Sequence, residues 1–156
     1  YPYLVHPDKH PYGRKLVYQS DHVEILVMNW NDRIECSPHD HGDSYGWVVI
    51  VNGETTHTLY KIDSETKIPV IHKIETTNVP FFAHKTQIHT MVNNAPEPLV
   101  TFHVYSPPIK GMKVYDLHRC AACIVSDDCG AWWPEEQRQR IREIQLKKEG
   151  DSSTFL

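Results

Sequence analysis

Short segments rich in strand-forming residues recur at near-even spacing over the first two thirds of the chain. Turn residues separate them, and one pair, Asn52-Gly53, is a strong short signal for a β-hairpin. Many short strands at such spacing predict a sandwich or a closed barrel, and therefore an all-β fold. The predicted strands are 15–19, 22–30, 47–51, 55–60, 68–75, 88–92, 99–105 and 112–115.

The C-terminal part has a different pattern. Pro134 suits the first turn of a helix, and the two glutamates that follow would lie near the positive end of the helix dipole. A sparse apolar stripe of Ile141, Ile144 and Leu146 fits a helix that lies on the surface of a barrel. We therefore expect a C-terminal helix at about 134–148.

Length and composition fit a single domain over 1–156, with the barrel at about 12–117. The 156 residues are 40% hydrophobic, enough for one core. The net charge is −4 without a basic cluster, so neither nucleic acid nor an acidic membrane surface is an expected partner. No apolar run could span a bilayer, and we expect no signal peptide. The cysteine usage predicts a reducing cytoplasm as the location. A monomer is the working expectation.

The four cysteines do not form the dense framework of a small secreted domain. Cys120, Cys123 and Cys129, with His118 nearby, have a spacing that could hold a zinc ion. A zinc ribbon needs a further close pair, which is lacking, so we expect free thiols.

His39-Asp40-His41 is the most informative tripeptide. On a strand, residues i and i+2 point to the same face, so both imidazoles can enter a barrel together. His89, on a separate predicted strand, is the candidate for a third metal ligand. A chance His-x-His pair is common in a chain with eleven histidines, so the context decides.

The surrounding spacings resemble the two motifs of the cupins, small jelly-roll β-barrels. Four residues separate His41 from Gly46, six more lead to Gly53, and three separate His89 from Asn93. The glutamate that normally supplies a fourth cupin ligand is replaced by Gly46. A neutral three-histidine site leaves the full charge on a divalent metal and favours an anionic ligand such as a thiolate. Iron and zinc both accept histidine.

A segment on a later strand adds a polar row. Thr101, His103 and Tyr105 share one strand face and could form a hydrogen-bonded relay, with Ser-Pro-Pro directly after it. Upstream lie Tyr12-Gly-Arg14 and Trp30. Alone, Arg14 would be taken for a surface salt-bridge residue and Trp30 for a core residue.

Together these segments resemble cysteine dioxygenase, the thiol dioxygenase branch of the cupins, from Tyr12 to Pro108. The resemblance implies one Fe(II) per chain and oxidation of L-cysteine by O2 to cysteine sulfinate. It implies three roles: metal ligands (His39, His41, His89), substrate-binding residues (Arg14, Tyr12, Trp30) and a catalytic relay (Thr101, His103, Tyr105).

Animal members of that family carry a cysteine at the position of Gly46, which forms a thioether with the tyrosine matching Tyr105. Glycine there resembles the bacterial type, so we expect no cross-link, and Cys36 should not reach the tyrosine face. Three alternatives stay open: a 3-mercaptopropionate dioxygenase, which usually has Gln where Arg14 stands, a metal-binding cupin without oxygenase activity, and a zinc or manganese isomerase.

Overall fold

The computed structural model describes residues 9–147, and these are built almost entirely from β-strands. No helix in this part of the chain is long and apolar enough to cross a membrane. The elements are β1 (Tyr12–Gln19), β2 (Glu24–Trp30), β3 (Tyr45–Asn52), β4 (Thr55–Ile62), β5 (Pro69–Thr77), β6 (Phe81–Ala83), β7 (Ile88–Val92), β8 (Val100–Ser106), β9 (Lys113–Asp116), β10 (Ala121–Val125), a 3₁₀ turn (Gln137–Gln139) and β11 (Arg140–Gln145).

The strands form three antiparallel sheets. One has five strands in the order β1-β2-β8-β3-β6, and the two others run β5-β4-β7 and β11-β10-β9. The largest core cluster joins Leu26 and Met28 of β2 and Val48 of β3 to Met91 of β7, so the apolar interior lies between sheets. The predicted all-β fold is confirmed, and all eight predicted strands overlap observed ones.

The predicted hairpin at Asn52-Gly53 is wrong. β3 pairs with β6 and β8, whereas β4 pairs with β5 and β7, so the chain crosses here from one sheet to another. Gly53 has φ +83°, and a Cβ on it would lie 2.5 Å from the carbonyl oxygen of Pro98. Glycine is therefore required by a close backbone approach as well as by the turn.

The predicted C-terminal helix at about 134–148 is also wrong for the described residues, which end at 147. Instead, β11 pairs with β10 over five residue pairs, and Ile141 is 63% exposed. The strand β10 is mostly buried and offers unpaired backbone groups along its edge, and pairing with them outweighs a modest local preference for helix.

Candidate metal centre

Three buried imidazoles meet inside the barrel. One ring nitrogen from each of His39, His41 and His89 lies within 4.8 Å of the others. His39 and His41 lie in the loop between β2 and β3, and His89 lies on β7. The fold brings these two distant parts of the chain together. Among residues 9–147 this is the group of His, Cys, Asp or Glu that could hold a metal ion.

Backbone pairing fixes the two chain segments against each other. His39 and His89 exchange both backbone hydrogen bonds, at 3.2 and 3.1 Å, and His39 also bridges to Val114. The carboxylate of Asp40 accepts hydrogen bonds from the backbone N–H groups of Gly42 and Lys113. The segment is thus a single bridge residue rather than the expected strand, and Asp40 serves to hold it.

The outer ring nitrogens show which atoms face the centre. His39 Nδ1 donates to the carbonyl of Ser37 at 2.8 Å, which leaves Nε2 with a lone pair. His89 Nδ1 lies 2.7 Å from Nε2 of His57, and His89 Nε2 lies 3.3 Å from His41 Nε2. No pattern in the sequence predicted this contact between His57 and His89.

Burial keeps these rings neutral. It lowers the pKa of His39 and drives the pKa values of His41 and His89 well below the ordinary value of 6.5. Burial also lowers the pKa of His57 to about 4 and that of His103 to about 3. Neutral imidazoles are the form that binds a metal.

The donor set suits a divalent transition metal. Two ligands at about 2.0–2.1 Å from an ion stand roughly 3 Å apart, close to the observed Nε2–Nε2 separation of 3.3 Å. Nitrogen donors of this kind fit Fe, Zn, Cu or Ni. By contrast, Cys120, Cys123 and Cys129 are free thiols, and they are absent from any metal-sized group in the described chain.

A second hydrogen-bonded row runs beside the imidazoles. Trp30 Nε1 donates to Thr101 Oγ1 at 2.9 Å, Thr101 Oγ1 lies 2.6 Å from His103 Nε2, and His103 Nδ1 lies 2.9 Å from the Tyr105 hydroxyl. The predicted relay therefore exists as geometry, and it is one residue longer than expected. Burial raises the pKa of Tyr105 well above its ordinary value, so the phenol stays protonated.

Gly46 lies directly against this tyrosine. The two residues pair across β3 and β8, and a Cβ at Gly46 would stand 2.6 Å from two ring carbons of Tyr105. The ring thus occupies the space that a side chain would need.

A cavity of about 400 Å³ opens onto the imidazoles. Eight of the nine predicted site residues line it; only Thr101 does not. Arg14 is partly exposed, and its Nη2 donates to the backbone carbonyl of Asp127 at 2.7 Å. The buried Tyr12 hydroxyl accepts from the backbone N–H of Ala131.

The segment after β10 forms one wall of this cavity. Val125, the last residue of β10, and Ser126, Asp127 and Cys129 after it line the cavity. Cys129 was predicted only as a free thiol, and no sequence pattern placed this segment at the cavity.

The fold and the cavity define a class: an all-β barrel with a buried three-histidine site, as in cupins. A conserved double-stranded β-helix protein of Klebsiella pneumoniae superposes with a TM-score of 0.56 at 18% identity, covering 72% of this chain and 85% of that one. A cupin with a double-stranded β-helix fold from Methanocaldococcus jannaschii gives 0.50 at 18% identity, covering 67% and 88%. These likenesses concern the fold alone and confirm the cupin prediction.

The sequence then assigns the family. The profile of cysteine dioxygenase type I matches residues 3–118, and the chain belongs to that family. Cysteine dioxygenase type 1 of Rattus norvegicus is 27% identical over 115 residues, and that of Danio rerio 25% over 116. Each match covers 70% of this chain and 58% of the relative, so the chain spans little more than half the length of those proteins.

Proposed function

We propose that this protein oxidises L-cysteine with O2 to cysteine sulfinate, using one Fe(II) bound by His39, His41 and His89. The observation that carries the proposal is that one cavity brings together the three imidazoles, the guanidinium of Arg14 and the hydroxyl of Tyr105. Family membership supports the same chemistry.

The reaction balances without an organic cofactor. Both atoms of O2 end on the sulfur, which supplies all the electrons, and the thiol becomes a sulfinic acid. Bound Fe(II) would supply the redox chemistry that lets O2 react with a thiolate. The protein contributes a neutral donor set, because its three imidazoles carry no charge of their own.

Arg14 would bind the substrate carboxylate. A guanidinium has five N–H donors, and the carbonyl of Asp127 is the acceptor found for one of them. The remaining edge can form a charge-assisted pair with a carboxylate. Tyr12 accepts from Ala131 and keeps its own proton, since burial raises its pKa to about 12; that proton can be donated to the same carboxylate.

Tyr105 would present a proton towards the reacting end of the substrate. If Thr101 donates to His103 Nε2, the ring carries its proton on Nδ1 and donates to the Tyr105 oxygen. The phenol proton is then free to face the cavity. Trp30, whose indole N–H can only donate, supports this arrangement by leaving the Thr101 proton for His103.

Apolar side chains would limit water around the sulfur. The apolar residues that line the cavity include Leu26, Met28, Met91, Ile109 and Val125. Thiolate and O2 would therefore react beside apolar side chains, with the substrate held at a fixed position.

Oxygen uptake by iron-loaded protein with a panel of thiols tests this function. We expect L-cysteine to react fastest, 3-mercaptopropionate more slowly because it lacks the amine, and cysteamine slowest because it leaves Arg14 without a carboxylate. Faster oxidation of 3-mercaptopropionate would change the substrate and keep the chemistry. No uptake with any thiol would refute the proposal.

A further inference from the structure

A buried histidine outside the predicted site contacts one of the three metal-binding candidates. His57 lies on β4, the neighbour of β7, and its Nε2 stands 2.7 Å from Nδ1 of His89. Only 3% of its surface is exposed. We infer that His57 is a positioning residue for the metal centre, accepting a hydrogen bond from His89 so that Nε2 of His89 faces the metal; this rests on the proposed three-histidine site.

Metal binding fixes the direction of this hydrogen bond. His89 Nε2 is the nitrogen that faces His41, so it must carry a lone pair in order to bind. A neutral imidazole then has its proton on Nδ1, and His57 Nε2 is the acceptor within reach. If His57 donated instead, His89 would hold its proton on Nε2, where it would block the metal.

The surroundings of His57 favour the accepting form. With Nε2 as acceptor, its proton sits on Nδ1, a buried atom that has no hydrogen-bond partner among the described residues. The carboxylate of Glu75, which pairs with His57 across β4 and β5, lies on that side of the ring, with its Oε1 4.0 Å from Nδ1. The negative charge of Glu75 stabilises a proton on that side of the ring.

Packing holds the His57 ring in place. It stacks on Phe81, with centroids 4.0 Å apart and an interplanar angle of 23°. Metal-bound histidines commonly donate their second N–H to a partner that orients them, and losing that partner weakens metal binding by roughly 10–100-fold. Here the partner is a second histidine backed by a carboxylate.

A matched pair of substitutions tests the inference. His57→Phe keeps a flat ring against Phe81 but removes the acceptor, whereas His57→Gln can present an oxygen near the position of Nε2. We expect His57→Phe to weaken Co(II) binding by about 10–100-fold in chelator competition, and His57→Gln to recover most of the loss. His72→Phe, at an exposed position on β5, should bind Co(II) like the wild type.

A direct readout comes from ¹⁵N NMR of the histidine rings in zinc-loaded wild-type protein. The inference predicts a proton on Nδ1 of His89 and on Nδ1 of His57. A proton on Nε2 of His57, or unchanged Co(II) affinity in His57→Phe, would overturn it. The NMR result stands even if His57→Phe does not fold. Neither measurement uses a thiol, so a protein that binds metal but oxidises no thiol would refute the proposed function and leave this inference intact.

Discussion

Two parts of the cavity lining are built differently: the three imidazoles, called the metal end, and Arg14, called the carboxylate end. At the metal end, His39, His41 and His89 are at most 7% exposed, and bonds to Ser37 and His57 orient two of the rings. At the carboxylate end, Arg14 is partly exposed, and its guanidinium donates to one backbone carbonyl. The fold therefore organises the metal end before any ligand binds, whereas it constrains the side chain of Arg14 less.

The two ends also differ in where their supports come from. The histidines and their partners lie within the residues that match the family, 3–118. The carbonyl that holds Arg14 belongs to Asp127, which follows β10 and lies beyond the match. We therefore expect the reaction at the metal to follow the family. We expect substrate preference to depend also on the segment after β10, which lies beyond the family match.

The largest effect should come from the metal end. His39→Ala, His41→Ala or His89→Ala should each weaken metal binding by more than about 100-fold, beyond the loss expected for an outer partner. Activity should disappear with every thiol. Metal content by mass spectrometry after dialysis measures this, with His72→Ala as the control. Full iron content in any of the three variants would remove that residue from the centre.

Arg14→Gln should produce a smaller and selective loss. A hydrogen bond to a charged group contributes about 1.5–3 kcal/mol, so kcat/KM for cysteine should fall by roughly 10–150-fold. The preference over 3-mercaptopropionate should narrow, and metal binding should not change. Lys15→Gln, at an exposed neighbouring position, is the control. An equal loss on cysteamine, which has no carboxylate, would contradict the assignment of Arg14.

Tyr105→Phe should slow turnover by about tenfold, the effect of one hydrogen bond, without loss of iron. Exposed Tyr18→Phe should be neutral.

Tyr105 should carry no thioether cross-link. Intact-protein mass spectrometry should show one species without the loss of two hydrogens that a cross-link causes, because Gly46 offers no sulfur and burial raises the pKa of the Cys36 thiol to about 12. A cross-linked species would mean that another thiol reaches the ring.

Acid should lower the free energy of unfolding of the metal-free protein. A histidine in the unfolded chain binds a proton near pH 6.5, but burial lowers the pKa of His57 to about 4 and that of His103 to about 3. Below about pH 6.5 the unfolded state therefore takes up protons that the folded state does not, and the free energy of unfolding falls. Denaturant unfolding of metal-free protein between about pH 7.5 and pH 5 measures this. His57→Gln should flatten the slope, and a pH-independent stability would contradict the explanation.

Some residues of the candidate site were predictable from the sequence, and others were not. His39 and His41 were predictable because their spacing is local, and the relay of Thr101, His103 and Tyr105 because one strand face orders it. His57 was not, because its contact with His89 depends on how β4 and β7 pair across 32 positions.

The wrong predictions, a C-terminal helix and a hairpin at Asn52-Gly53, also failed because strand pairing in the folded protein overrides local preference. The segment at 140–145 has residues suited to a helix, but an exposed edge of β10 pairs with it. Asn52-Gly53 is a hairpin signal, but the strands on either side belong to different sheets. Asp127 holds Arg14 through its backbone, which no side-chain pattern could reveal.

The most direct test of the central claim is the fate of the oxygen atoms. Iron-loaded protein should turn over L-cysteine under ¹⁸O2, with product mass measured at early times. A thiol dioxygenase predicts cysteine sulfinate carrying two ¹⁸O atoms, with one O2 consumed for each product. Cystine as the product, or sulfinate with oxygen derived from water, would contradict the proposed reaction.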